Sequence, residues 1–237
     1  MVRLSILMKG KNMKRVLILM MMASSLYGFV GLGLTGGTNS ISHSAGLSPL
    51  LVGVEEVGSF SYDGFENAAS IGGYLYVDAL PFVDLDIEVN IKMAPYYFAF
   101  ENAGTSQDSL AFVWASSSSY ITVQKDLLKT SIPFLAKMRM FAGAGINNHS
   151  STPMVDQNML ESIMDGDVAD GTFDSQKMID YLNDNKIKTG GFHIQLGAQF
   201  KLLVFDSMLI YRHVFTDGIT PDTKGFSNLN LRLGYGL

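Results

Sequence analysis

The sequence predicts an all-β protein: an eight-stranded antiparallel up-and-down transmembrane β-barrel with short helices in one extracellular loop. Three observations lead there. Apolar and polar residues alternate with period two in eight separate segments, most clearly at Ser227–Leu237, where Leu229, Leu231, Leu233, Tyr235 and Leu237 share one face and Asn228, Asn230, Arg232, Gly234 and Gly236 the other. The connections alternate between short turns and mostly longer loops, as they do when both termini lie on one side of a membrane. An N-terminal segment has the charge and hydropathy of an export signal.

Composition agrees. The 237 residues include 24 Gly and no Cys, and only 16% are charged, which argues against disorder, a disulfide framework or a thiolate metal site. Arg3, Lys9, Lys11, Lys14 and Arg15 precede Val16–Ala23, an apolar run of signal length, and Ala23-Ser24-Ser25 offers small residues for cleavage. Residues 1–25 are therefore expected to be a signal peptide with an N-terminal extension, and residues 26–237 the barrel. Loss of those five bases takes 17 basic and 22 acidic residues to 12 and 22, a mature charge near −10. That excludes the basic footprint of a nucleic-acid partner.

In order, the first strand covers Phe29–Thr35. Its Gly31, Gly33 and Gly36 spell a dinucleotide fingerprint, but no helix follows, so small inward residues in a narrow barrel explain them better. Residues 36–67 read as a long connection. The second strand spans Ser70–Ala79 and ends at the turn Leu80-Pro81-Phe82, where Pro removes a donor. The third alternates Val83, Leu85, Ile87, Val89, Ile91 and Met93 against Asp84, Asp86, Glu88, Asn90, Lys92 and Ala94. The aromatic run Tyr96–Phe100 then suggests an interfacial girdle. A polar loop is expected at Glu101–Ser109.

The fourth strand covers Ala111–Val123, with Trp114, Ser116, Ser118, Tyr120, Thr122 and Gln124 on one face, and a turn at Lys125–Ser131. The fifth covers Phe134–Ile146, with Leu135 and Phe141 breaking its alternation. Residues 147–189 form the longest loop. Within it, one helix is expected with Thr152 as cap and Pro153 at its first position, and a second over Asp174–Leu182. The sixth, seventh and eighth strands cover Phe192–Leu202, Ser207–Phe215 and Ser227–Leu237.

Turning the polar faces inward collects Asp78, Asp84, Asp86 and Glu88 with Lys92, Lys137, Arg139, Lys201, Arg212 and Arg232. An eight-stranded barrel has an interior just wide enough to fill with side chains. Unpaired buried charge is costly, so these residues are expected to form an ion-paired plug.

The signal segment, the eight alternating segments and the apolar last strand resemble the small outer-membrane β-barrel superfamily of Gram-negative-type bacteria. Its members include the transmembrane domain of outer membrane protein A, the W-type outer membrane proteins and the opacity-type surface proteins. The resemblance is architectural and covers about Leu26–Leu237. It implies a bacterial outer-membrane location, contact with outer-membrane lipid, and recognition of Ser227–Leu237 by the barrel-assembly machinery. Family strands usually end there in an aromatic residue; here Leu237 takes that place, with Tyr235 two positions before. The resemblance implies a structural or surface-interaction role, with passage of small apolar molecules, as in W-type barrels, as the alternative.

Site chemistry is sparse. His43, His149, His193 and His213 all map toward the outer rim, without metal-ligand spacing, and Asp165, Asp167 and Asp170 match a calcium loop only loosely. No cofactor or metal is expected. No triad arrangement is recognisable, so the chain reads as a non-enzyme.

Overall fold

The computed structural model describes residues 30–52, 54–78, 82–102, 106–132, 135–163 and 174–236. The expected signal peptide, the Asp165–Asp170 loop and Leu237 lie outside these residues. The strands are β1 (Val30–Asn39), β2 (Gly46–Val52), β3 (Glu55–Tyr62), β4 (Ala68–Val77), β5 (Asp84–Asn102), β6 (Ser106–Ile132), β7 (Ala136–Ser151), β8 (Ile187–Leu202), β9 (Phe205–Phe215) and β10 (Phe226–Gly236). Helices α1 (Gln157–Ile163) and α2 (Ser175–Asp184) lie between β7 and β8.

Eight strands close a ring in the order β1-β4-β5-β6-β7-β8-β9-β10, every neighbour antiparallel. The closing pair is β1 with β10, in a register that sets Leu34 opposite Leu233 and Thr35 opposite Arg232. Cross-strand partners followed from Val30 pass through Val77, Leu85, Val123, Ala144, Ile194, His213 and Ser227. They return to Ser40, whose N–H donates to Ser227 O at 2.8 Å. The stagger is thus ten residues, from position 30 to position 40. Closure satisfies every strand's backbone within the ring and leaves no edge inside the wall.

The outward face is the apolar one. Leu32, Leu34, Ile71, Val89, Ile121, Ile146, Phe192, Ile194, Leu231 and Leu233 are all exposed, whereas the charged and polar residues on the opposite face are buried. This is the reverse of a water-soluble sheet and matches a wall solvated by lipid.

The structure departs from the sequence reading in five places, four above the belt and one below it. Residues 36–67 are not a simple connection, because β2 and β3 form a hairpin there. β3 pairs with the upper part of β5, from Gly58 opposite Asn102 to Tyr62 opposite Phe98, while β4 pairs with the lower part. The described residues of Glu101–Ser109 are strand and not loop, since β5 and β6 stay paired to Glu101 and Ser106. Tyr96 and Phe98 are buried above the barrel mouth and so form a core instead of a girdle; Tyr97 between them is exposed. Thr152 does not cap a helix. Its hydroxyl accepts from Ala115 N–H at 3.1 Å and ends the β6–β7 pairing, and Asp156 caps α1 by accepting from Met159 N–H at 2.8 Å. At α2, Asp174 accepts from Gln176 N–H at 2.8 Å. Below the belt, the Lys125–Ser131 turn is likewise replaced by paired strand, since β6 continues to Ile132 with a bulge between Asp126 and Leu128.

These parts build a cap. Val155, Met159, Leu160 and Ile163 of the α1 region join Leu50, Phe60, Phe65, Tyr96, Phe98, Phe112, Trp114, Ile219 and Phe226 in one buried cluster over the lumen. Each such side chain contributes about 1.5–3 kcal/mol by leaving water. The hairpin's free edge is managed too. Gln157 accepts from Leu51 N–H at 3.4 Å and donates to Leu51 O at 2.9 Å, imitating a strand partner, and Pro49 offers no N–H.

Candidate functional site

The lumen is the place where side chains of chemical interest converge, and it is filled in layers. The lowest layer centres on Arg139. Its guanidinium meets Asp84, lies 3.0 Å from Asp126 and 3.5 Å from Asp78, and packs over the Phe141 ring at 5.0 Å. Lys137 pairs with Asp78 at 2.7 Å. Beside them Tyr76 donates to Asp206, and Gln199 donates to the same carboxylate at 2.6 Å.

The middle layer crosses the barrel. Arg212 Nη1 and Nη2 lie 3.2 and 3.0 Å from Glu88 Oε1 and Oε2, a bidentate pair. Arg232 Nη1 lies 3.0 Å from both Asp86 oxygens, and its Nη2 meets Glu88. The two guanidiniums stack over Tyr120 and Tyr74 at 4.0 and 4.7 Å. Gln195 accepts from Arg212 Nε at 3.0 Å, and Asn90 donates to Glu88 at 2.6 Å.

The upper layer carries Lys92 and two histidines. Lys92 is held by neutral acceptors: Ser118, Tyr120 at 3.0 Å and Asn90 at 3.2 Å, with the Phe226 ring 5.4 Å away. Ser118 also meets His149 Nδ1 at 2.8 Å, and Thr122 meets His193 Nε2 at 2.9 Å. His149 and His193 are buried inside the barrel, so the rim placement expected for all four histidines holds only for His43 and His213. Alternation decides this: both stand on the inward face of their strands.

Of the ten lumen residues named from sequence, Asp78, Asp84, Asp86, Glu88, Lys137, Arg139, Arg212 and Arg232 make ion pairs. Lys92 and Lys201 are in no carboxylate ion pair among the described residues. Two acids escaped the sequence reading, Asp126 and Asp206. Asp126 falls in the expected Lys125–Ser131 turn and Asp206 just ahead of the expected strand at Ser207, but both lie on strands facing inward. Six acids thus face six bases in the lumen.

Glycine makes room for this filling. The Tyr76 ring occupies the space a Cβ on Gly31 would need, and the Phe141 ring does the same at Gly197. Phe141, an exception to its strand's pattern, is therefore an inward space-filler, fully buried. Leu135, the other exception, is exposed next to the β6–β7 turn. Among the described residues no group of three or more His, Asp or Glu side chains could hold a metal ion.

At the rim, the loop after β9 is tied to the chain after β1. Asp222 accepts from Ser44 N–H at 2.9 Å and pairs with His43 at 3.1 Å, and Thr220 donates to Ser42 O at 2.9 Å. The Ser44 N–H and the His43 ring hold the Asp222 carboxyl below the ordinary carboxylate range. In the cap, burial pushes the Tyr96 phenol up to about 12, and it accepts from Val155 N–H at 3.0 Å.

A closed ring of eight strands, apolar outside and charged within, is the architecture of a small transmembrane β-barrel. Among solved structures the chain is similar to bacterial outer-membrane barrels. One is Ail, the attachment invasion locus protein of Yersinia pestis, solved with the heparin analogue sucrose octasulfate; it is 8% identical, with a TM-score of 0.40, over 88% of this chain and 99% of that one. Another is the outer membrane protein OprG from Pseudomonas aeruginosa, 9% identical, TM-score 0.40, over 90% and 97%. A third is the outer membrane protease OmpT from Escherichia coli, 14% identical, TM-score 0.31, over 88% and 94%. No protein-family model and no curated protein matches the chain. The protease corrects one expectation. Outer-membrane barrels include enzymes, so the lack of a recognisable triad in the sequence does not make this chain a non-enzyme.

Proposed function

We propose that this barrel is a closed structural element whose interactions take place at the cell surface, not through its lumen. The observation that carries this reading is the Arg212–Glu88 bridge with Arg232 and Asp86 beside it, spanning the interior beneath an aromatic cap. Glu55, Glu56, Asp63, Glu66 and Glu101 are exposed around that cap, so the outer face is acidic. The last strand, Ser227–Leu237, would be the segment read by the barrel-assembly machinery, and outer-membrane lipid the partner of the wall.

Transport of small apolar molecules is the competing reading. It needs an open apolar route, and the apolar residues of the α1 region are instead packed into the cap. Planar-bilayer recording tests the proposal: the folded protein should show no sustained conductance steps, and regular steps at ordinary salt would overturn it. Hydrocarbon uptake into liposomes tests the competitor, with flux above that of empty liposomes deciding in its favour.

A further inference from the structure

The outer wall changes character abruptly on β6, β7 and β8. In one cross-strand row, Ile121, Ile146 and Phe192 face lipid. The next row up is Ser119, Asn148 and Gly190, and the one above it Ser117, Ser150 and Lys188. Small side chains in place of Ile and Phe leave a groove of about 340 Å³ there, lined also by Val89 and Thr189. Among the described residues, the side chains of Ser117, Ser119, Ser150 and Lys188 have no protein partner, so their donors are unused. Lys188 is exposed at the edge of the groove.

We propose that this groove binds the phosphate headgroup of an anionic membrane lipid. The inference rests on the wall's placement in a membrane. Its position selects the occupant. A molecule seated there has hydroxyl and ammonium donors around its polar end and the Ile121/Ile146/Phe192 surface directly below, where acyl chains run. A lipid phosphate offers acceptors only; Lys188 offers donors only, and each serine hydroxyl is free to turn its proton toward the phosphate. The lysine provides the charge, and the serines the short-range hydrogen bonds.

Native mass spectrometry of the folded, detergent-solubilised full chain, with added phosphatidylglycerol or phosphatidylcholine, tests this. Wild type should retain phosphatidylglycerol in preference to phosphatidylcholine. Lys188→Glu should weaken that retention roughly fivefold or more, from about 1 kcal/mol per basic residue near an anionic surface. Ser150→Leu, which fills the groove and keeps the charge, should also weaken it. Lys125→Glu, an exposed lysine at the other end of β6, should leave it unchanged. Heat-modifiable gel mobility confirms that each variant is folded. Equal retention of the two lipids, equal retention by wild type and Lys188→Glu, or an equal loss in Lys125→Glu would overturn the proposal. So would displacement of phosphatidylglycerol by excess inorganic phosphate, which would make the groove a site for the free ion.

Discussion

Arg212 and Glu88 face each other across the full width of the barrel. β9 and β5 stand four places apart in the ring of eight, yet two parallel N–H···O contacts of 3.2 and 3.0 Å join them, with both side chains shut off from solvent. The bridge links opposite walls directly, so it acts on the cross-section as a tie.

Removing one end should therefore cost much more than a surface ion pair. Glu88→Ala leaves Arg212 uncompensated and Arg232 with only Asp86, an expected loss of about 3–5 kcal/mol. Urea unfolding in lipid vesicles measures it. The double variant Glu88→Leu with Arg212→Met should lose less than Glu88→Ala alone, because it removes both charges. A Glu88→Ala midpoint equal to wild type would show that the tie carries no load.

The room left at Gly197 is used by one ring. Gly197→Leu should overpack against Phe141 and cost about 1–3 kcal/mol. Adding Phe141→Ala should recover part of that loss, although Phe141→Ala alone destabilises. Refolding yield and urea midpoint of the three variants decide it, and additive losses would refute the contact.

The cap should be separable from the barrel. Leu160→Ala removes a buried side chain from the aromatic cluster and should weaken the cap by about 2–5 kcal/mol. Proteolysis of the 152–186 region should speed up while the heat-modifiable gel shift persists. Loss of the shift would mean that the cap is needed for the barrel itself.

The rim clasp should respond to acid. The Asp222 carboxyl is held below its ordinary range in the folded chain, so its contribution is present at neutral pH and is lost as pH falls through that lowered value. Limited proteolysis near residues 40–45 should stay slow through mildly acidic pH and accelerate only below the usual carboxylate range. Asp222→Asn, which removes the charge, should expose the segment already at neutral pH. Identical digestion of the two proteins would count against the clasp.

Much of this architecture was legible in single segments. β10 reads off its own residues, because each Leu of Leu229, Leu231 and Leu233 must take the same face and the facing Asn228, Asn230 and Arg232 the other. β2 and β3 were not legible for the same reason inverted: a bulge between Leu50 and Leu51 breaks the alternation, and Pro49 and Gly58 weaken the strand signal. Asp126 hides next to another bulge and Asp206 next to a two-residue turn.

The sequence by itself determined the eight wall segments, their inward and outward faces, and hence ten of the twelve charges in the lumen, because side-chain direction in a strand is a local property of period two. Which charge meets which was decided only by the tertiary structure. The stagger of ten residues around the ring sets the height of each side chain, and closure sets the distance across it, so that β9 reaches β5 through Arg212 and Glu88. The cap belongs to the same category. Its helices and hairpin are short and weakly patterned, and they become ordered surfaces only against the tall β5–β6 wall that carries Tyr96, Phe98 and Trp114.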